Sequence, residues 1–345
     1  MTFLTLLPTL ILILALFAIT MLVALYSTFA ERKVAAFMQD RVGPNRAGPG
    51  GILQPLADGL KFFMKEEVIP VASNRLLFIL GPCIAIMCAL MTGIVVPWGD
   101  VLTIFGTTVP LQIVDLDIGI LYVFAVVSVG VYGIMIGGWA SNNKFSLMGA
   151  IRASSQIISY ELSMGLSIVA LLLLTGTLSL HEIVSQQHGM NWNIIYQPVG
   201  FLIFLICSFA EANRTPFDLP ECETELVGGY HTEYSSMKLG FYLFSEYINM
   251  FISGAVMATL YFGGYNFPFM DNLLQATGSQ NLVTILGVIF LFMKIFFFIF
   301  LFMWVRWTIP RFRYDQLMNL GWKGLIPLAI LNILVTAAGI LIFKN

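Results

Sequence analysis

Residues 282–305 read LVTILGVIFLFMKIFFFIFLFMWV, an unbroken apolar run that carries a single charge, Lys294. About 20 such residues in a helix span a hydrocarbon core, and this run has no polar face with which a soluble helix could meet water. Comparable runs recur on both sides of it, at about 8–30, 77–97, 117–137, 157–176, 194–213, 239–263 and 325–343. The sequence therefore predicts an all-α, polytopic membrane protein with about eight transmembrane helices. Composition agrees, with 58% hydrophobic and only 10% charged residues, against roughly 25% charged in soluble domains. With no linker or low-complexity tract, residues 1–345 read as one membrane domain.

The first run is expected to persist as a helix. No basic residue precedes it, and Glu31-Arg-Lys follows in place of a small-residue cleavage site. Four segments between spans, at about 31–76, 138–156, 214–238 and 306–324, hold seven, two, two and four of the 17 Lys and Arg residues. Only Lys294 and Lys344 lie elsewhere. Basic loops stay on the cytoplasmic or matrix face, so both termini are expected on the opposite, periplasmic or intermembrane, side. A net charge of −2 offers no basic surface for nucleic acid. Cys83, Cys88, Cys207 and Cys222 have no CxxC spacing or histidine partners, so electrons in any redox chemistry would be carried by another chain. The absence of an internal repeat argues against an inverted-repeat transporter.

Within the first inner loop, residues 51–65 place Ile52, Leu53, Leu56, Leu60, Phe63 and Met64 on one helical face, opposite Gln54, Asp58, Lys61 and Lys65. That pattern predicts an amphipathic helix lying on the membrane surface. It follows Arg41-Val-Gly-Pro-Asn-Arg-Ala-Gly-Pro-Gly-Gly51, which is dense in turn formers but lacks the Gly-Lys-Ser/Thr of a phosphate loop.

Chemistry concentrates between 211 and 233. Glu211, Asp218, Glu221, Glu223, Glu225 and Glu233 surround Arg214, the one base among them. Interleaved Pro216, Phe217, Leu219, Pro220, Leu226 and Val227 indicate that part of the stretch packs against protein. Burial and like-charge repulsion tune such carboxylates toward proton exchange. Glu161, Glu246 and Lys294 fall inside or near the ends of spans, where each charge costs about 2.5–3.5 kcal/mol at the helix centre and needs a function or a partner. With Glu211, they are candidates for a proton relay, and Lys294 is expected to pair with an acid along it.

Glu31-Arg-Lys-Val, Gln39, Arg41-Val-Gly-Pro-Asn-Arg46, Gly51-Ile-Leu-Gln-Pro-Leu-Ala-Asp58 and Lys61 resemble the first inner loop of the subunit 1 family (designated H in bacteria) of proton-pumping NADH:quinone oxidoreductase, respiratory complex I. So do Gly138-Trp-Ala-Ser-Asn142, Arg152, Ser159-Tyr-Glu161, Glu211-Ala-Asn-Arg-Thr-Pro-Phe-Asp-Leu-Pro-Glu221, Glu223, Glu225-Leu, Glu233-Tyr and Pro310-Arg-Phe-Arg-Tyr-Asp-Gln-Leu-Met318. The match runs through all four inner loops in order. Cys222 departs from the small Ala or Gly usual in the family.

That resemblance implies a subunit walling a quinone chamber, with quinone as substrate and no cofactor held by this chain alone. Iron–sulfur clusters and FMN would reside in partner subunits. Glu31, Arg32, Arg41, Ala57 and Asp58 would border the quinone entrance, with the surface helix as its threshold. Arg214, Phe217, Asp218, Glu221 and Glu223 would face the chamber, and Glu161, Glu211, Glu225 and Glu246 would continue the proton path, with Tyr160 and Tyr247 beside two of these acids. Implied partners are the soluble quinone-site and terminal iron–sulfur subunits, the small membrane subunits leading to antiporter-like pumps, quinone and the lipid bilayer. Two other readings remain: the homologous subunit of a membrane-bound hydrogenase or of a ferredoxin- or F420-linked complex, and an autonomous ion-coupled transporter.

Overall fold

The computed structural model describes residues 3–104, 107–218 and 226–343. Its helices are α1 (Phe3–Met38), α2 (Gln54–Met64), α3 (Arg75–Thr92), α4 (Gly119–Ala140), α5 (Lys144–Thr175), α6 (Leu180–Gln186), α7 (Asn193–Tyr196), α8 (Pro198–Glu211), α9 (Ser236–Tyr261), α10 (Met270–Thr277), α11 (Gln280–Thr308), α12 (Tyr314–Asn319) and α13 (Ile326–Phe343). A π-helical turn, Leu320–Leu325, joins α12 to α13. One antiparallel hairpin, β1 (Val101–Ile104) and β2 (Thr107–Pro110), links α3 to α4.

Seven helical spans among the described residues are long and apolar enough to cross a membrane: α1, α3, α4, α5, α9, α11 and the continuous α12–α13 rod. The chain is a multi-pass membrane protein. At the fifth expected span, 194–213, stand the short turn α7 and the 14-residue α8. At 1.5 Å per residue α8 is about 21 Å long. It starts at Pro198 because proline is preorganised for a first helical position and cannot continue the turn before it.

Two inner loops are shorter than expected. Residues 144–156 of the expected 138–156 loop already belong to α5, and α12 occupies part of 306–324. The extra turns of α5 are rich in buried small residues, Ser146, Gly149, Ala150, Ala153 and Ser154, which let the 229–230 backbone pack against them. Ser146 Oγ donates to the carbonyl of Tyr230 at 3.2 Å. Tertiary contact thus extends a helix whose polar beginning reads as loop.

The centre of the bundle is α9. Buried residues make up 72% of its most apolar window, against 11% for α1. Close approach around it depends on absent side chains: a Cβ on Gly137 would lie 1.9 Å from the Tyr242 hydroxyl, which instead donates to the carbonyl of Gly133 at 3.0 Å. Contacts tie the four basic segments together at one end. Lys238 pairs with Glu67, Asn143 Nδ2 donates to Glu233 at 2.6 Å, and the Phe312 amide donates to the carbonyl of Pro216 at 3.2 Å.

Candidate functional site

A cavity of about 300 Å³ opens at this end, between α1, α2, α9 and the inner end of α11. Glu31, near the C-terminal end of α1, is 7% exposed and accepts from the Tyr247 hydroxyl at 2.8 Å. Its carboxylate pairs with Arg306 of α11 at 2.5 Å and with Arg214 at 3.6 Å. Arg214 reaches Glu246 of α9 at 3.7 Å and lies 4.1 Å over the Tyr247 ring. Two acids and two bases therefore form a compact node, stabilised in part by a cation–π contact. At 3.6 and 3.7 Å the Arg214 contacts are ion pairs rather than direct hydrogen bonds.

Arg214 arrives there because the chain turns sharply after α8. Asn213 takes a positive φ of 49°, a conformation asparagine tolerates better than most residues. The Arg214 amide donates back to the Phe209 carbonyl at 3.2 Å. Across the cavity, Arg32 pairs with Asp58 of α2 at 2.7 Å, and Gln54 donates to the same carboxylate at 3.0 Å. The face of α2 that lines the cavity carries Pro55, Asp58, Gly59 and Phe62, while Leu56, Leu60, Phe63 and Met64 stay exposed. The apolar stripe legible in the sequence faces outward, as for a helix lying in the membrane interface.

Glu31, Arg32, Arg41, Asp58, Arg214 and Glu246 all line this cavity. Three expected wall residues do not. Ala57 is exposed on the far side of α2. Phe217 is buried, with its ring 5.2 Å from that of Tyr160 and 5.6 Å from that of Phe312. Asp218 is 2% exposed and pairs with Arg311 at 3.1 Å. Both hold the loop after α8 against its neighbours. Glu221, Glu223, Glu225 and Cys222 lie outside the described residues.

A second, smaller cavity of about 40 Å³ continues inward from Glu246 and is also lined by Glu211, with Asn213, Tyr230, Ser245 and Asn249 as polar neighbours. Tyr230 donates to Glu246 at 3.1 Å. Glu211 in turn lies within electrostatic reach of Glu161, whose carboxylate accepts from Ser128 of α4. The acids named from the spans thus follow one another from the large cavity into the bundle.

Three expectations are corrected. Lys294 meets no acid among the described residues: its ammonium donates to the carbonyls of Phe262, Gly264 and Asn266, each at 2.7 Å, and lies 5.1 Å over the Trp192 ring. Three carbonyls match its three donors, so it closes the chain turn after α9. Tyr160 donates to the Leu317 carbonyl at 2.9 Å rather than serving Glu161. Tyr247 serves Glu31, not its neighbour Glu246. Arg306, Tyr230 and Gly59 were missed as site residues; a base at the inner end of α11, opposite an acid at the inner end of α1, was the signal for Arg306.

A family model described as NADH dehydrogenase matches residues 10–337. The chain is 69% identical over 333 residues to the first of the H-type NADH-quinone oxidoreductase subunits of Cytophaga hutchinsonii, covering 96% of each chain. It is 69% identical over 334 residues to the H-type subunit of the same oxidoreductase from Flavobacterium psychrophilum, covering 97% of each. Against the H-type subunit from Thermomicrobium roseum identity is 49% over 320 residues, with 90% of this chain and 89% of the relative covered. With these matches spanning every element that builds the cavity and the acid series, the chain belongs to the NADH dehydrogenase family, as an H-type subunit of the NADH-quinone oxidoreductase complex.

Proposed function

We propose that this chain forms the membrane wall of a quinone chamber and passes the charge change of quinone reduction into a series of carboxylates that move protons. One observation carries this reading: Glu246 lines both the large cavity, with Glu31 and Arg214, and the inner one, with Glu211. A carboxylate shared by two cavities feels any new charge in the first and can exchange a proton in the second. The inner cavity is polar and roomy enough for ordered water, which completes the distance between Glu246 and Glu211. Glu161 follows, within electrostatic reach of Glu211 and steadied by Ser128.

Electrons would come from an iron–sulfur cluster in a soluble partner subunit. The residues here position the quinone head and answer its charge. Arg214, which faces both Glu31 and Glu246, and Arg306, paired with Glu31, stabilise negative charge arising in the cavity. The terminal partners remain as the resemblance implies, the soluble quinone-site subunits on one side and small membrane subunits leading to antiporter-like pumps on the other.

Gly59 supplies the direct test of the chamber. It lines the cavity, and a Cβ built there meets no atom within 4 Å. Gly59→Leu should keep or improve helix stability, since glycine costs about 1 kcal/mol in a helix, while obstructing the space. Quinone turnover should fall and its KM rise, with NADH oxidation by an artificial acceptor unchanged. Unaltered quinone kinetics in a fully assembled Gly59→Leu complex would remove the quinone from this cavity.

Sidedness is tested separately. Cysteines introduced at Arg46 and Lys144 should react with an impermeant maleimide only from the cytoplasmic or matrix face. Reaction only from the opposite face would invert the topology.

A further inference from the structure

A groove separate from the quinone cavity runs between the inner ends of α1 and α11, with a volume of about 850 Å³. Its walls are Phe37, Val42, Phe300 and Trp304, and two cations, Lys33 and Arg41, stand at its rim. No acid lines it. Among the described residues neither cation makes an ion pair, whereas Arg32, Arg214, Arg306 and Arg311 all do. Lys33 is held in place by its surroundings: its ammonium lies 5.6 Å over the Phe29 ring, and Gly43 packs so closely on its stem that a Cβ there would be 3.2 Å from Lys33 Cδ. Arg41 donates through Nε to Gln39 at 2.7 Å, which leaves the outer edge of its guanidinium to other acceptors.

We propose that this groove binds an anionic phospholipid, its phosphodiester held by Lys33 and Arg41 and its acyl chains lying on Phe37, Phe300 and Trp304. The position selects a lipid over a protein partner. The groove sits at the ends of two membrane-crossing helices and opens sideways, with Phe37 88% exposed and Phe300 and Trp304 each 49% exposed. Basic residues and tryptophan at that depth match the headgroup layer. Basic pockets between spans attract anionic headgroups. Charge complementarity selects an anionic lipid over a zwitterionic one, because two cations face the site and no acid among the described residues lines it.

Arg41 also lines the quinone cavity. A phosphodiester in the groove therefore holds one side of the cavity mouth, so lipid occupancy and quinone access share a residue. The proposal does not depend on the proton path.

The test uses the intact complex in mild detergent and a phosphatidylglycerol with a photoactivatable acyl chain, alongside the matching phosphatidylcholine. The phosphatidylglycerol should label peptides containing Phe37 and Phe300–Trp304, and the phosphatidylcholine much less. Each basic residue near an anionic surface contributes about 1 kcal/mol, about fivefold in affinity, so Lys33→Gln should lower labelling about fivefold while Lys33→Arg retains it. Three outcomes would overturn the site: equal labelling by both lipids, labelling unchanged in Lys33→Gln, or no labelling with the groove shielded by another subunit. If Lys33→Gln fails to assemble, the headgroup comparison in the unmodified complex and the Lys33→Arg variant decide alone.

Discussion

Complexes carrying Glu246→Gln or Glu211→Gln are expected to assemble normally and to fail to translocate protons. Glutamine keeps the shape and much of the hydrogen bonding of each side chain, so Tyr230 retains its acceptor at 246. On the proposed path, what it removes is the exchangeable proton between the two cavities that Glu246 lines. A positioned acid–base group is worth about 10²–10⁴-fold in proton transfer, far more than leakage through neighbouring waters would restore. Where coupling is tight, quinone reduction falls with pumping. Proton uptake and NADH oxidation measured together in reconstituted vesicles, with assembly followed on a native gel, distinguish loss of coupling from loss of the complex. Pumping at the ordinary proton-to-electron ratio in either variant would return these acids to a structural role.

The second large effect belongs to Arg214. Its guanidinium faces Glu31, Glu246 and the Tyr247 ring from a position 5% exposed. Removing one partner of a buried charge pair costs about 3–5 kcal/mol, because the remaining charge stays buried. Arg214→Met should therefore lower the melting temperature of the complex and abolish quinone reduction. Arg214→Lys separates the two contributions: it keeps the charge but loses the planar group that stacks on Tyr247. That variant should assemble and reduce quinone slowly. Wild-type quinone kinetics in Arg214→Lys would show that the guanidinium geometry is dispensable.

The membrane architecture was legible because apolar length and the clustering of Lys and Arg are properties of sequence alone, and seven long spans follow the expected positions. The exceptions have physical causes. Pro198 starts α8 late, after the α7 turn, and the small residues of 144–156 let the 229–230 backbone pack against the first turns of α5. A window of sequence contains neither fact.

At the site, residue type was a better guide than role. Glu31, Arg32, Arg41, Asp58 and Arg214 meet around one cavity, and Glu246, read from the sequence as part of the proton path, lines it too. Phe217 and Asp218 stand in the same motif as Arg214 but point into packing and toward Arg311, because a turn sends successive side chains in different directions. Lys294 shows the limit most clearly. A buried ammonium needs acceptors, and the sequence names only carboxylates; the three carbonyls that serve it exist only once the chain has turned after α9.

The proposed seat of the quinone head, the cavity bounded by Glu31, Arg214 and Glu246, is tested most directly by photolabelling the intact complex with a short-chain azidoquinone and mapping the labelled peptides. Labels are expected on α1 between Leu25 and Ala35, on α2 between Pro55 and Phe62, and near Trp307, and they should disappear in the presence of excess unlabelled quinone. Competable labelling confined to the outer halves of α3 and α13, with none on α1 or α2, would contradict the assignment.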